Sequence, residues 1–509
     1  MRILFTTSNG TGLGHLTRSM AIARRLGPGA EPLFLTLSGA APVVHSMGFP
    51  VEYVASYATP GSGNDYRWSR RLRARLRTAI AEAAPDVVVF DGTHPYEALL
   101  GALPPATTAV WCRRAMWKRG SSKVPLGRAG AFDAVLEPGE LAESEDAGPT
   151  VPLRERAKRV DPIVLLDPEE LLPREEAEAE LGIEPGGVNV LVALGQGAEV
   201  REATARCLRH LSGREGVRVV AISSALGAMG SEPVPEGIVE LRATYPMSRY
   251  FAAFDAAVAA AGYNAFHELV HLGVPSLFVP MERQTDDQPA RARWAESAGV
   301  GLGVEGAASP LLEAQLDRLL KPETRERLAE GIRALAPRNG AGEAAAWLAG
   351  MARGEESAPA AAVDSGAGKR GSFRAWRRRW GTFVASVPQT AVRLARQQLT
   401  QPRPRTVIHA FGLGERAPEA VREALAETPD PPERVLVLTD SYEFAALREL
   451  GVGFEHVPPP GSRQAELAGV PYEEFRRRRV ELILAERPRP RRTLSASADE
   501  PSPGGGALA

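Results

Sequence analysis

The run Ala256-Ala257-Val258-Ala259-Ala260-Ala261-Gly262-Tyr263-Asn264-Ala265-Phe266-His267-Glu268, followed by Gly273-Val274-Pro275-Ser276-Leu277-Phe278-Val279 and then Thr285-Asp286-Asp287-Gln288, decides the fold. A short apolar run, a glycine turn, an amphipathic stretch and a second apolar run are the pattern of parallel strands joined by a helix. The glycine turn opens the helix, so unpaired backbone N–H groups and the helix dipole point at whatever occupies it. A diphosphate suits that place. Glu268 falls within the first two turns, where a carboxylate can accept from vicinal ribose hydroxyls; Asp287 and Gln288, just beyond the next strand, can hold sugar hydroxyls. The bland alternatives are a tight connection at Gly262 and a helix cap at Asp287.

Outward from this block the same alternation recurs twice. Val188–Leu194, Val217–Ile222, Ile238–Leu241, Ala256–Ala260 and Ser276–Val279 form one strand series, and Arg2–Phe5, Pro32–Leu37, Val87–Phe90 and Thr107–Trp111 form an earlier one. The fold class expected is α/β, with two Rossmann-like domains facing a cleft and a small C-terminal α/β unit. The expected division is a first Rossmann-like domain over 1–160, a second over 161–352, a basic linker over 353–402, the small unit over 403–487 and a disordered tail over 488–509. The crossing is placed at Val160-Asp161-Pro162-Ile163, and the linker and tail are read from their Ala, Ser, Gly and Pro content.

A chain of 509 residues exceeds a single core, and its 44% apolar and 24% charged residues with a net charge of −1 are those of an ordinary globular protein. Two cysteines, Cys112 and Cys207, argue against a disulfide framework and are expected to be buried thiols. The first apolar stretch runs straight into glycines and no stretch reaches the length of a membrane span, so a cytoplasmic protein, at most peripheral on the inner leaflet, is expected.

The other glycine motif is Gly10-Thr11-Gly12-Leu13-Gly14-His15-Leu16-Thr17-Arg18, directly after the first strand. Such a loop alone is weak evidence for a dinucleotide, and Pro32–Leu37 leads into Ser38-Gly39 instead of an acidic residue. Its glycines permit close approach to a ligand, with His15 opening the next helix toward the cleft. Asp91, at the end of Val87–Phe90, is placed to orient that histidine, or only to cap a helix.

The 255–295 block resembles the donor signature of family 28 and family 1 glycosyltransferases of GT-B type, the MurG type among them, and the likeness extends over residues 1–350. It implies the following roles. Gly262 and Asn264 lie at the diphosphate, Glu268 at the ribose, and Asp287 with Gln288 at the sugar. Ala193-Leu194-Gly195-Gln196-Gly197 resembles the phosphate loop, and Met247 aligns with the position that binds the base. Gly12 and Gly14 belong to a Gly-His loop whose His15 is the general base. Ala260 stands where many family 1 members have a histidine, which shifts phosphate binding to backbone amides. Thr17-Arg18 stands where many relatives have proline, a variant also seen in nucleotide-sugar hydrolases.

The activity implied is inverting transfer of a hexose from a nucleotide diphosphate sugar, UDP-sugar by preference, to an acceptor hydroxyl, with no cofactor and no metal ion. The acceptor is open, a lipid-linked or cell-envelope glycan being one choice. A nucleotide-sugar hydrolase and a non-catalytic nucleotide-sugar-binding protein are the alternatives. Basic residues from Lys369 to Arg396, interleaved with Trp376, Trp380 and Phe383, suit contact with an anionic membrane; no nucleic-acid motif is present.

Overall fold

The computed structural model describes residues 1–8, 13–57, 59, 65–195, 198–223, 235–242, 244–359, 404–485, 487 and 489–496. Gly12, Gln196, Gly197 and the basic segment 369–396 lie outside them.

The first domain is a sheet of seven strands, β1 (Arg2–Thr7), β2 (Glu31–Thr36), β3 (Val51–Tyr53), β4 (Val87–Asp91), β5 (Thr108–Cys112), β6 (Ala134–Pro138) and β7 (Lys158–Val160), in the order β3-β2-β1-β4-β5-β6-β7. The second has six, β8 (Val188–Ala193), β9 (Val217–Ser223), β10 (Val239–Arg242), β11 (Ala256–Ala260), β12 (Ser276–Val279) and β13 (Leu302–Gly303), in the order β10-β9-β8-β11-β12-β13. The strand pairs are parallel, as in β1 with β4 and β8 with β11. Parallel strands need covering helices on both faces, which is why β4 is buried throughout and reads as an apolar run up to Asp91. In both sheets the order reverses between the first strand and the fourth, at β1/β4 and β8/β11. Open α/β sheets bind ligands at that switch point, beyond the carboxyl ends of the strands.

The chain crosses between the domains twice. Ile163, Leu165 and Leu166 are buried in the first domain's core on the way out. The helix Ala341–Arg353, which closes the 161–352 stretch, packs back into that core through Ala344, Trp347 and Leu348, beside Leu16 and Met20 of the helix Gly14–Ala23. The two crossings touch where the Gly340 N–H donates to the Pro162 carbonyl at 2.8 Å.

A third sheet is made by β14 (Thr406–Ala410), β15 (Val435–Thr439), β16 (Gly453–His456) and β17 (Arg492–Ser495), in the order β16-β15-β14-β17. Strand β17 corrects the expectation of a disordered tail from 488 onward: it is exposed or half-buried, so it shows no hydrophobic pattern, and it is held by backbone pairing along β14. Residues 497–509 lie outside the described set. The unit is fastened to the first domain by buried charge. Glu52 accepts from Arg75 at 2.7 Å and from Arg479 at 3.3 Å, and the Ala55 N–H donates to Glu455 at 3.2 Å. Both cysteines are buried and free.

Any side chain at 340 would collide with the crossing strand, since a Cβ there stands 2.1 Å from the Asp161 carbonyl oxygen. Gly340→Ala is therefore expected to lower stability by about 1–3 kcal/mol through overpacking. Urea unfolding measures it, and an unchanged midpoint would show that the crossing yields freely.

Candidate functional site

Each switch point contributes one wall. From the first domain, β1 leads to the helix Gly14–Ala23 with His15 in its first turn, and β4 ends at Asp91, which is 1% exposed. His15 Nδ1 lies 2.7 Å from Asp91 Oδ1. Arg18, one turn further along the helix and buried, donates Nε to Asp91 Oδ2 at 3.0 Å and Nη2 to Oδ1 at 2.5 Å. Burial alone would raise the Asp91 carboxyl, but the Arg18 charge and the hydrogen bonds from His15 and Arg18 outweigh it and hold it below its ordinary value. An ionised carboxylate only accepts, so Nδ1 carries its proton and Nε2 keeps a free lone pair. Burial lowers the His15 pKa, helped by the charges of Arg18 and Arg114, while Asp91 pulls the other way.

From the second domain, β11 passes through Gly262 into the helix Tyr263–His271, whose N-terminus carries no side-chain cap. Gly262 has extended backbone at φ −71°, so its glycine serves close approach and not a left-handed turn. Gly195, after β8, does need glycine, with φ at +91°. Asn264 donates Nδ2 to the Gly14 carbonyl at 3.3 Å, joining the two glycine loops across the cleft. The Tyr263 hydroxyl donates to Gly139 O at 3.0 Å and accepts from Ile163 N at 3.1 Å, fixing this helix to the first domain and the crossing.

Glu268 is half-buried, and burial pushes its carboxyl up to about 7 despite a hydrogen bond from the Leu165 backbone. Its neighbour Tyr245 meets Thr17 of the first domain, hydroxyl to hydroxyl, at 3.0 Å. Met247 opens a short turn, Met247–Ala253, and packs half-buried on the second domain's core. Asp287 caps the helix Gln288–Ser297, accepting from Ala290 N at 3.2 Å. Gln288 is buried and already bound, accepting from Met281 N at 2.9 Å and donating to Asp286 at 3.2 Å.

Residues that sequence reasoning left without a role tie the walls together. Asp286 takes Arg114 Nη1 at 2.6 Å and Arg291 Nη1 at 2.7 Å, and Arg291 Nε also meets Glu140 at 2.8 Å. These charges hold the Asp286 carboxyl far below its ordinary range, although burial opposes them. The backbones meet as well: Trp117 and Asp286 form an antiparallel bridge, Lys118 N donates to Thr285 O at 2.6 Å, and Asp287 N to Met116 O at 3.0 Å. Arg18 had a signal, since it follows His15 by three positions and shares its helix face. Arg114 and Asp286 had none, being 172 positions apart.

Residues 209–341 match the glycosyltransferase family 28 C-terminal domain. A UDP-N-acetylglucosamine--N-acetylmuramyl-(pentapeptide) pyrophosphoryl-undecaprenol N-acetylglucosamine transferase of Nocardioides sp. is 30% identical over 336 residues, covering 60% of this chain and 85% of that protein. The chain belongs to the MurG-like glycosyltransferases of family 28. The transferase of the same name from Saccharopolyspora erythraea is 26% identical over 307 residues, covering 57% of this chain and 78% of its own. A solved structure, MurG of Acinetobacter baumannii, is similar at a TM-score of 0.46 with 16% identity, covering 68% of this chain and 98% of that one. In this MurG-like enzyme the two parallel sheets, with their switch points facing across a cleft, are the GT-B arrangement.

Replacing Asp91 by Asn in this glycosyltransferase leaves the Arg18 guanidinium buried without its counter-charge, an expected cost of about 3–5 kcal/mol. A urea midpoint equal to wild type would show that the pair carries no such strain.

Proposed function

We propose that the enzyme transfers a sugar, with inversion, from a UDP-sugar to a hydroxyl of a lipid-linked acceptor, without a metal ion. The observation that carries this reading is the His15–Asp91 pair facing an uncapped helix N-terminus across the cleft, with Asn264 bonded to Gly14 between them. The names of the curated relatives supply the donor and acceptor classes. His15 Nε2 would take the proton of the acceptor hydroxyl while its oxygen bonds to the anomeric carbon and the bond to the diphosphate breaks on the opposite face. The departing diphosphate would be met by backbone N–H groups after Gly262, with Gly195 leaving the opposite loop close. Its burial-lowered pKa keeps His15 neutral at pH 7, the form a base needs.

Glu268 would bind the ribose, Met247 would lie beside the base, and Asp287 with Gln288 would face the sugar. Because Asp287 and Gln288 already serve the protein's own backbone and Asp286, their part would be to place the loop as well as to touch the ligand. Gly14 would sit under the diphosphate; Gly12, Gln196 and Gly197 are proposed on the resemblance alone.

Ribose hydroxyls need Glu268 ionised, and its carboxyl titrates at about 7 in the free protein. A raised carboxyl pKa means the charged form is gained as pH rises through 7, so affinity for uridine diphosphate should rise roughly tenfold from pH 6 to 8. Glu268→Gln should weaken binding and leave only the pH dependence of the phosphate itself; calorimetry that finds equal affinity for mutant and wild type would remove Glu268 from the site.

His15→Ala should lower turnover roughly 10²-fold or more and leave nucleotide affinity nearly intact, since a base acts in the transition state. The test is release of uridine diphosphate from a panel of UDP-sugars, with and without a lipid-linked acceptor and with EDTA. Near-native turnover of the mutant, or release that ignores the acceptor, would overturn the transfer reading; a large loss with EDTA would overturn its metal independence.

A further inference from the structure

We propose that Arg18 is a positioning residue that, together with burial, keeps His15 uncharged by sharing the Asp91 carboxylate, an inference that rests on His15 acting as the base. A histidine paired with a lone buried carboxylate is drawn toward the imidazolium, because the negative charge stabilises the proton. Here the carboxylate is not alone. Arg18 reaches both oxygens of Asp91, and its Nη2 stands 3.1 Å from His15 Nδ1, so two donors converge on one oxygen. A guanidinium remains protonated throughout the working pH range, so Asp91 and Arg18 together present His15 with a neutral pair.

The remaining groups around the ring do not restore the negative charge. On the strand beside β4, burial keeps the Cys112 thiol protonated, and from the second domain burial keeps the Tyr263 phenol neutral. Arg114, beyond β5, adds a second positive influence while bound to Asp286. Arg18 is itself fixed from the opposite wall, its guanidinium lying 5.0 Å from the centre of the Tyr263 ring. The cation is thus held by both domains, and its effect on His15 depends on the cleft's being assembled.

Proton transfer is thereby tuned. Asp91 fixes the ring so that Nε2 faces the acceptor, while Arg18 weakens that carboxylate's power to stabilise an imidazolium, so the ring does not take up a proton from water before the acceptor arrives. Removing the charge should free Asp91 to stabilise the imidazolium and raise the His15 pKa by at least about one pH unit.

The experiment follows the His15 ring by nuclear magnetic resonance in histidine-labelled full-length protein, assigned by loss of its signal in His15→Gln, together with kcat against pH at saturating donor, where Glu268 is already ionised. Wild-type His15 is expected to titrate below 6.5, and R18M to move both the ring titration and the acid limb of kcat up together, so that activity lost at pH 6.5 returns at pH 8.5. R18K, which keeps the charge, should stay within about half a pH unit of wild type. A wild-type ring that titrates above 7 overturns the proposal even if R18M does not fold. So does an R18M protein whose ring titration is unmoved and whose rate falls equally at every pH. A ring titration that moves while the kcat limb stays in place upholds the role of Arg18 and removes His15 as the base.

Discussion

A carboxylate taken out of water must find compensating charge and hydrogen bonds, and two buried carboxylates, Asp91 within the first domain and Asp286 between the domains, organise the cleft. Asp91 closes the first switch point, collecting His15 and Arg18 from one helix. Asp286 lies in the second domain and draws Arg114 across from the first, while Arg291 links it to Glu140 on the far side of the crossing. Around Asp286 the backbones pair, Trp117 to Asp286, so the loop that carries Asp287 and Gln288 is held against the first domain. If the domains parted, Asp286 would lose Arg114 and Glu140 would lose Arg291, and water would have to take their place.

The arrangement separates two tasks that transfer chemistry must keep apart. In the proposed reaction donor binding would draw on backbone amides and a helix end, which offer positive potential without a titrating side chain. Proton removal would draw on His15, whose charge state depends on burial and on Asp91 and Arg18 beside it. Asn264 and the Tyr245–Thr17 contact are the points where the two tasks touch, so a shift of one domain against the other is felt at both. Glu268, raised to about 7 by burial, lies on the donor side of that boundary.

Much of this was legible because parallel strands covered on both faces appear as apolar runs, as in Val188–Leu194, and because glycines mark the strand ends where ligands sit. Strand β6 escaped notice since Glu137 and Pro138 interrupt its apolar run; Glu137 is buried against Arg113 at 2.6 Å, a pairing that spacing does not reveal. Strands β7 and β17 carry mostly charged or polar residues, with only Val160 and Leu494 on the core, and backbone pairing holds them in place. The return of Ala341–Arg353 to the first core was hidden for a different reason, since an apolar helix face does not say which core it covers. Within the site, the glycines, His15, Asp91 and Glu268 could be read from local pattern. The Arg114–Asp286–Arg291–Glu140 network could not, because it is a product of the closed cleft.

In the proposed reaction the nucleotide diphosphate sits on the second domain's switch point, opposite the His15–Asp91 pair. A crystal structure of the full chain with uridine diphosphate tests it most directly. Phosphate oxygens are expected within hydrogen-bond reach of the backbone N–H groups just after Gly262 and ribose hydroxyls on Glu268, with His15 facing the vacant sugar position. Nucleotide bound instead in the glycine loop before His15, or on the C-terminal sheet, with Glu268 untouched, would contradict it.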